Sequence, residues 1–249
     1  MKLTYVIGYR HTEERYENLS RTLDWLSTFS NMDVLIVEQD SVSKFQNKWN
    51  VRHIFVKNLN QYNRSWAFNI AIKNSDSEAF AFGDSDLIMK NDEFLESVSL
   101  LGEYDVISPY KSVLDLTPEE TLMDIEDMSN ITRPGRGEAD HQKINLCGGL
   151  VLFTKDSIMK VGGFCESFEG WGGEDDFQTL KVNILGLKTK EMPYRIYHLY
   201  HTRTIPDMNF YQRNLQLLQS GFRASKEQIE NHIMVTLPFI GDIKKYSNV

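Results

Sequence analysis

The chain has 249 residues, a formal charge of −8 at neutral pH and two cysteines. That length suits one large α/β domain, a class that reaches about 200–250 residues, and the acidic balance disfavours a broad nucleic-acid footprint while leaving room for a local basic groove. Cys147 and Cys165 are too few for a disulfide framework, and the first apolar run is too short for a secretory or membrane-spanning segment, so the expected setting is the reducing cytoplasm with no membrane span.

Residues 3–7 read as the first strand, and residues 13–29 as a helix that turns Leu19, Leu23, Leu26 and Phe29 to the core. Residues 34–37 and 54–56 read as further strands, before a helix from about 64 to 72. The strand at 79–82 delivers Asp84-Ser85-Asp86, and 106–108 is a shorter strand. From 114 to 142 no steady period survives, and the stretch, with Arg133-Pro134-Gly135-Arg136-Gly137 inside it, is expected to be a partly mobile insertion. Residues 150–153 and 194–198 are expected to complete the sheet, a helix follows residue 174, and 209–233 reads as largely helical. Strands alternating with amphipathic segments predict a Rossmann-like, mostly parallel central sheet flanked by helices. The expected organisation is a single α/β domain over 1–205, with 206–249 as a C-terminal helical extension packed on it.

Three polar clusters carry chemistry. Asp84-Ser85-Asp86 follows an apolar strand, and open α/β sheets gather ligands at the carboxyl ends of their strands. One of the two acids suits direct ligation of a hard cation and the other contact through water or a ribose; ordinary turn chemistry is the competing reading. His198-Leu199-Tyr200-His201 adds imidazole, which suits transition metals, so Asp with His points to Mn2+, with Mg2+ the alternative that acids alone would take. Hydrogen-bonded structural histidines are the competing reading.

The third cluster, Trp171-Gly172-Gly173-Glu174-Asp175-Asp176, sets three consecutive carboxylates behind an aromatic and two glycines. Acids at a helix start offset the exposed N–H groups, so capping accounts for one or two of them. Capping does not call for Trp-Gly-Gly. The stretch therefore reads as a mobile loop feeding a helix, with Phe177, Leu180, Val182, Ile184, Leu185 and Leu187 to bury and first-turn carboxylates able to take a proton or orient a hydroxyl. Arg133 and Arg136 read as a phosphate clamp or as solvated loop charges. Tyr194, Tyr197 and Tyr200 read as sugar-stacking rings or as packing, and Lys244-Lys245 as a solubilising end.

Together these residues resemble the galactosyltransferase family, specifically the β-1,4-galactosyltransferase-like catalytic domain of GT-A fold, from about Thr4 to His201. The most specific stretch is the order Cys147-Gly148-Gly149, Gly162-Gly163-Phe164, then Trp171 to Asp176. Ile7-Gly8-Tyr9-Arg10-His11-Thr12-Glu13-Glu14 is similar to the family's first-strand segment, with Gly8 in place of the proline of Pro-Phe-Arg. Tyr62-Asn63-Arg64 is similar to Phe-Asn-Arg, whose aromatic and arginine hold the uridine, and Asn69 continues the match. Asp84-Ser85-Asp86 stands where the family has Asp-Val-Asp, and His198 with His201 where it has Met-x-x-His. Leu146 replaces an aromatic that in many relatives helps choose the donor sugar.

The resemblance implies a metal site of Asp86, His198 and His201, donor or nucleotide contacts from Gly8, Tyr9, Arg10, Tyr62, Arg64, Asp84, Gly149 and Trp171, and acceptor contacts from Glu174 and Asp176. It implies a hexosyl- or pentosyltransferase moving a sugar from a nucleotide-sugar donor, expected to be a UDP-sugar, to an acceptor hydroxyl with inversion. Asp175 is the expected general base, assisted by Glu174. A saccharide, a lipid-linked glycan and a hydroxylated base in modified DNA all fit as acceptors. Two other classes stand beside this one: a nucleotide-sugar-binding module without chemistry, and a metal-dependent nucleotidyltransferase or phosphohydrolase, which has no need of the Trp-Gly-Gly hinge.

Overall fold

The computed structural model describes residues 1–137, 146, 148–203 and 205–246. In chain order the elements are β1 (Leu3–Tyr9), α1 (Glu13–Leu26), β2 (Asp33–Asp40), β3 (Arg52–Lys57), α2 (Arg64–Lys73), β4 (Ala79–Gly83), β5 (Leu87–Ile88), α3 (Asn91–Ser99), β6 (Val106–Ser108), β7 (Ser112–Asp115), α4 (Ile125–Ser129), β8 (Leu150–Thr154), α5 (Lys155–Lys160), α6 (Glu174–Ile184), β9 (Thr189–Glu191), β10 (Arg195–His198), α7 (Met208–Arg223) and α8 (Lys226–Thr236).

A seven-stranded sheet runs in the order β3-β2-β1-β4-β8-β6-β9. Its first four strands are mutually parallel, β6 and β9 are parallel, and β8 runs against both of its neighbours. The central strand β1 is apolar on both faces. Tyr5, Ile7 and Tyr9 enter one core layer with Leu19, Leu23 and Leu26 of α1, while Val6 enters the other with Trp66, Phe68 and Ile70 of α2. That is the pattern of a mostly parallel sheet with helices on both sides. Helix α1 opens on Thr12, whose hydroxyl accepts the Arg15 N–H at 3.2 Å, with Glu13 and Glu14 in its first turn. It ends at Leu26, short of the expected 29, and Phe29 still packs on the same layer.

Helix α2 is buried on every face from Ser65 through Ile72, the polar Asn69 included, whose side chain bonds to Phe164 and Glu166. The sheet covers one side, and the C-terminal segment covers another through the Trp66 indole N–H, which donates to the Asp242 carbonyl at 2.8 Å. Asn63 caps its start by accepting the Trp66 N–H at 2.9 Å. Arg64 is thereby held in the first turn, beside the end of β4.

Three expectations need correction. The segment at 194–198 does not complete the main sheet: the polar strand β9 takes that edge through β6, and β10 instead pairs parallel with β7 and antiparallel with β5 in a separate three-stranded sheet. The stretch from 114 to 137 of the expected insertion carries secondary structure, the end of β7, α4 and a Val113–Arg136 bridge, while 138–142 lie outside the described residues. It is tied by charge, which hydrophobic periodicity does not register: Arg133 clamps the Glu120 carboxylate and donates to the Asp115 carbonyl at 2.6 Å. Third, Lys245 is not a free solubilising end, since it pairs with Glu166 at 3.0 Å. The C-terminal helical run is two helices, the second opened by a capping box between Ser225 and Gln228. Phe177 of α6 packs with Leu218 of α7 and with Ile229 and Ile233 of α8 in a third apolar cluster. Cys165 is a free thiol, and Cys147 lies outside the described residues. Among the described residues no helix is long and apolar enough to cross a membrane.

Candidate functional site

The small sheet and the turn after β10 bring together a group able to hold a metal ion. Asp86 immediately precedes β5, whose Leu87 is registered against His198 at the end of β10. The Leu199 N–H donates to the Asp86 carbonyl at 2.8 Å, which holds the two chain segments together. Asp86, His198 and His201 each turn one ligand atom into a common space, and those atoms lie within 4.8 Å of one another. His198 Nε2 is 3.8 Å from Asp86 Oδ1 and His201 Nε2 is 3.5 Å from Asp86 Oδ2. Both imidazoles have a partner at Nδ1: Asp115 Oδ1 at 3.0 Å for His198 and the Thr202 carbonyl at 3.2 Å for His201. With N–H on Nδ1, each ring directs its Nε2 lone pair at Asp86. Asp86 Oδ1 is buried without a hydrogen-bond partner, a costly state for a carboxylate oxygen unless a cation meets it. One oxygen donor and two imidazoles fit a divalent transition ion.

A second cluster lies at the end of β4 and the start of α6. The Arg64 guanidinium bridges two carboxylates, Nε to Asp84 Oδ1 at 2.8 Å and Nη1 to Asp175 Oδ1 at 2.6 Å. The Gly148 N–H donates to Asp175 Oδ2 at 3.2 Å, so each oxygen of Asp175 has one fixed donor. Burial raises the Asp175 carboxyl above the usual carboxylate range, Arg64 opposes that, and the Asp84 charge adds to it. Glu174 is pushed up to about 7 by burial and then by the Asp175 charge, and its Oε2 is buried without a hydrogen-bond partner. Asp176 shares the first turn of α6 with both.

The hinge ahead of these acids is built from backbone that only glycine adopts cheaply. Gly172 has φ 103° and Gly173, at the helix N-cap, φ 91°. Trp171 is 63% exposed and stacks on Tyr211 of α7, ring centroids 5.5 Å apart.

The remaining candidates divide. The Tyr62 hydroxyl fills the space over Gly8, where a Cβ would sit 2.2 Å from it, which accounts for glycine at the position where the resemblance puts proline. Arg10 packs 5.8 Å over the Tyr62 ring, but its guanidinium donates to the Gln39, Asn58 and Asn60 carbonyls and serves the loop beneath. Tyr9 is buried in the core with its hydroxyl on His11 Nδ1 at 2.9 Å. Gly149 lies against Leu87 and Asp84, with no room for a Cβ. Asn69 is structural, bonded to Phe164 and Glu166. Arg133 and Arg136 form no free phosphate clamp, being paired with Glu120 and Asp115. Tyr197 is in the core, and the Tyr194 hydroxyl meets Glu96. Sequence reading missed Asp115, because its strand is four residues long and its parallel partner stands far along the chain. It also missed Tyr211.

Residues 139–204 match the family described as the N-terminal domain of galactosyltransferase. Human β-1,4-galactosyltransferase 3 is 37% identical over 51 residues, which is 20% of this chain and 13% of that protein. The catalytic domain of Drosophila β-1,4-galactosyltransferase 7 superposes with a TM-score of 0.51 at 16% identity, over 86% of this chain and 79% of the other. A mannosyltransferase from Pyrobaculum calidifontis superposes with a TM-score of 0.60 at 15% identity, over 96% of this chain and 70% of the other. The chain has the GT-A fold of these structures, and its residues 139–204 are similar to galactosyltransferases.

Proposed function

We propose that the protein is an inverting glycosyltransferase that moves a sugar from a UDP-sugar to an acceptor hydroxyl, with a divalent ion held by Asp86, His198 and His201. The observation that carries this reading is Arg64, which ties Asp84, two residues from the ligand Asp86, directly to Asp175 in the first turn of α6. A donor held at the strand end and a base at the start of α6 then stand on opposite sides of one guanidinium. Among the structural relatives, the Pyrobaculum enzyme was solved with GDP-mannose and Mn2+ and the Drosophila enzyme with xylobiose. A bound Mn2+ would neutralise charge on the diphosphate as it leaves.

The chain's own residues do the rest. Tyr62, its ring backed by Arg10, offers a face to the base. Asp175 accepts the proton of the attacking hydroxyl; Arg64 and the Gly148 N–H fix the direction of its carboxylate, and burial supplies basicity. Glu174, pushed up to about 7, still holds a proton in part at neutral pH and in that form can donate a hydrogen bond to the acceptor, with Asp176 orienting it from the same turn. Trp171 pivots on its glycines to cover the donor and limit hydrolysis. A thermal-shift panel of nucleotide sugars tests the reading: a UDP-sugar with Mn2+ raises the melting temperature and added chelator abolishes the rise. A rise confined to GDP-sugars moves the donor class, and no rise with any nucleotide sugar overturns the reading.

A further inference from the structure

His198 sits between two carboxylates supplied by the strands on either side of it. On one side is Asp86, ahead of β5; on the other is Asp115, the last residue of β7, which the parallel register sets directly opposite His198. The Leu116 N–H donates to the His198 carbonyl at 2.9 Å, so the two backbones are locked at this level. The imidazole contacts the acids unequally. Nδ1 is 3.0 Å from Asp115 Oδ1, a close ion-pair contact, whereas Nε2 is 3.8 Å from Asp86 Oδ1. A ring that donates from Nδ1 keeps its lone pair on Nε2, facing the buried and unpartnered Asp86 oxygen.

Asp115 is itself held. Arg136 reaches it with Nε on Oδ2 at 2.7 Å and Nη2 on Oδ1 at 2.9 Å, a paired approach, and Arg203 stands 3.7 Å from Oδ2. Arg136 comes from the far side of the 116–135 excursion and returns to β7 through its backbone bridge to Val113. The result is a chain of contacts, Arg136 to Asp115 to His198, ending on the ligand set. His201 has a weaker anchor, the neutral Thr202 carbonyl at 3.2 Å.

We propose that Asp115 is a positioning residue for the divalent ion: it fixes the tautomer and rotation of His198 and raises the ring's donor strength, with Arg136 holding Asp115 in place. Carboxylates behind ligating histidines act in this way, and their loss weakens metal binding by roughly 10–100-fold. This inference rests on the reading of Asp86, His198 and His201 as a metal site. An ion pair that serves folding alone would instead alter the melting temperature and leave metal affinity untouched.

Calorimetric titration of the full chain with Mn2+, without nucleotide, separates the two. Asp115→Ala weakens Mn2+ binding by roughly 10–100-fold. Asp115→Asn keeps an acceptor for the Nδ1 proton but loses the charge, so it falls between alanine and wild type. Asp115→Glu recovers part of the affinity. Arg136→Gln costs only a few-fold, because its side chain is 59% exposed and an exposed partner contributes little. Melting of the chelated proteins reports folding separately, and Asp115→Asn serves if the alanine variant does not fold. Binding by Asp115→Ala or Asp115→Asn within two-fold of wild type, while His198→Ala abolishes it, overturns the positioning role alone. A wild-type chain that takes up no Mn2+ overturns the metal site and this role with it.

Discussion

At the Asp86 end, two imidazoles and a carboxylate converge and, among the described residues, neither lysine nor arginine pairs with that carboxylate; at the Asp175 end, Arg64 lies between two acids. On the proposed reading, charge is completed from outside at one end and from within at the other. The difference separates binding from chemistry. The end lacking a protein cation suits a ligand that brings its own charge, an ion with a diphosphate. The end that is already compensated suits a base, whose basicity is set before any ligand arrives. Arg64 joins the two ends and belongs to both.

The strongest way to break this division is Asp175→Asn, which keeps size and hydrogen-bonding capacity and removes the proton acceptor. Transfer should fall by roughly 10²–10⁴-fold, with donor affinity retained. Near-normal turnover would remove Asp175 from the mechanism and pass the role to a neighbour. Next in size is Arg64→Met, which leaves Asp84 and Asp175 facing each other without a cation. Breaking a buried pair costs about 3–5 kcal/mol, and the 41% exposure of the Asp84 side chain places this case at or below the lower end. Adding Asp175→Asn to Arg64→Met should restore part of the loss in denaturant melts. Strict additivity of the two changes would mean that the bridge is not energetically coupled.

Tyr62→Ala sharpens the donor side: uridine nucleotide affinity should drop by about 1–3 kcal/mol if the ring stacks on the base, and an unchanged dissociation constant returns Tyr62 to its structural place over Gly8. Glu174 gives the smallest and most pH-dependent effect. Its folded value of about 7 lies above the ordinary 4.5, so the stability gained by keeping the proton is complete below about 4.5 and is lost as the pH rises through 7. Glu174→Gln stays neutral throughout. Its melting temperature should therefore gain on wild type between about pH 5 and pH 8, and a constant offset across that range would contradict the buried-acid assignment.

Much of the frame is legible in the residues themselves. The doubly buried strands β1 and β4 and the mostly apolar α2 announce themselves by composition, and Asp84, Asp86, His198, His201 and the acidic triplet by residue type and spacing. What escapes reading depends on pairing across distance. β5 has two residues and β9 three polar ones, so neither carries a period, and yet β9 takes the sheet edge that β10 was expected to fill. Asp115 looks like any loop acid until the β7–β10 register sets it beside His198. The motif suggests a nucleotide contact for Arg64 but says nothing of the contacts its guanidinium makes to Asp84 and Asp175. A buried cation's partner is decided by which carboxylates the fold brings near, and the motif does not carry that information.

The claim on which the rest depends is that Asp86, His198 and His201 hold the ion that holds the donor. Calorimetry of UDP-sugar binding, run with Mn2+ and with excess chelator on wild type and on Asp86→Asn, tests it most directly. The account predicts binding by wild type with Mn2+, loss of that binding with chelator, and loss in Asp86→Asn under both conditions. Equal affinity with Mn2+ and with chelator, or an Asp86→Asn chain that binds like wild type, would contradict it.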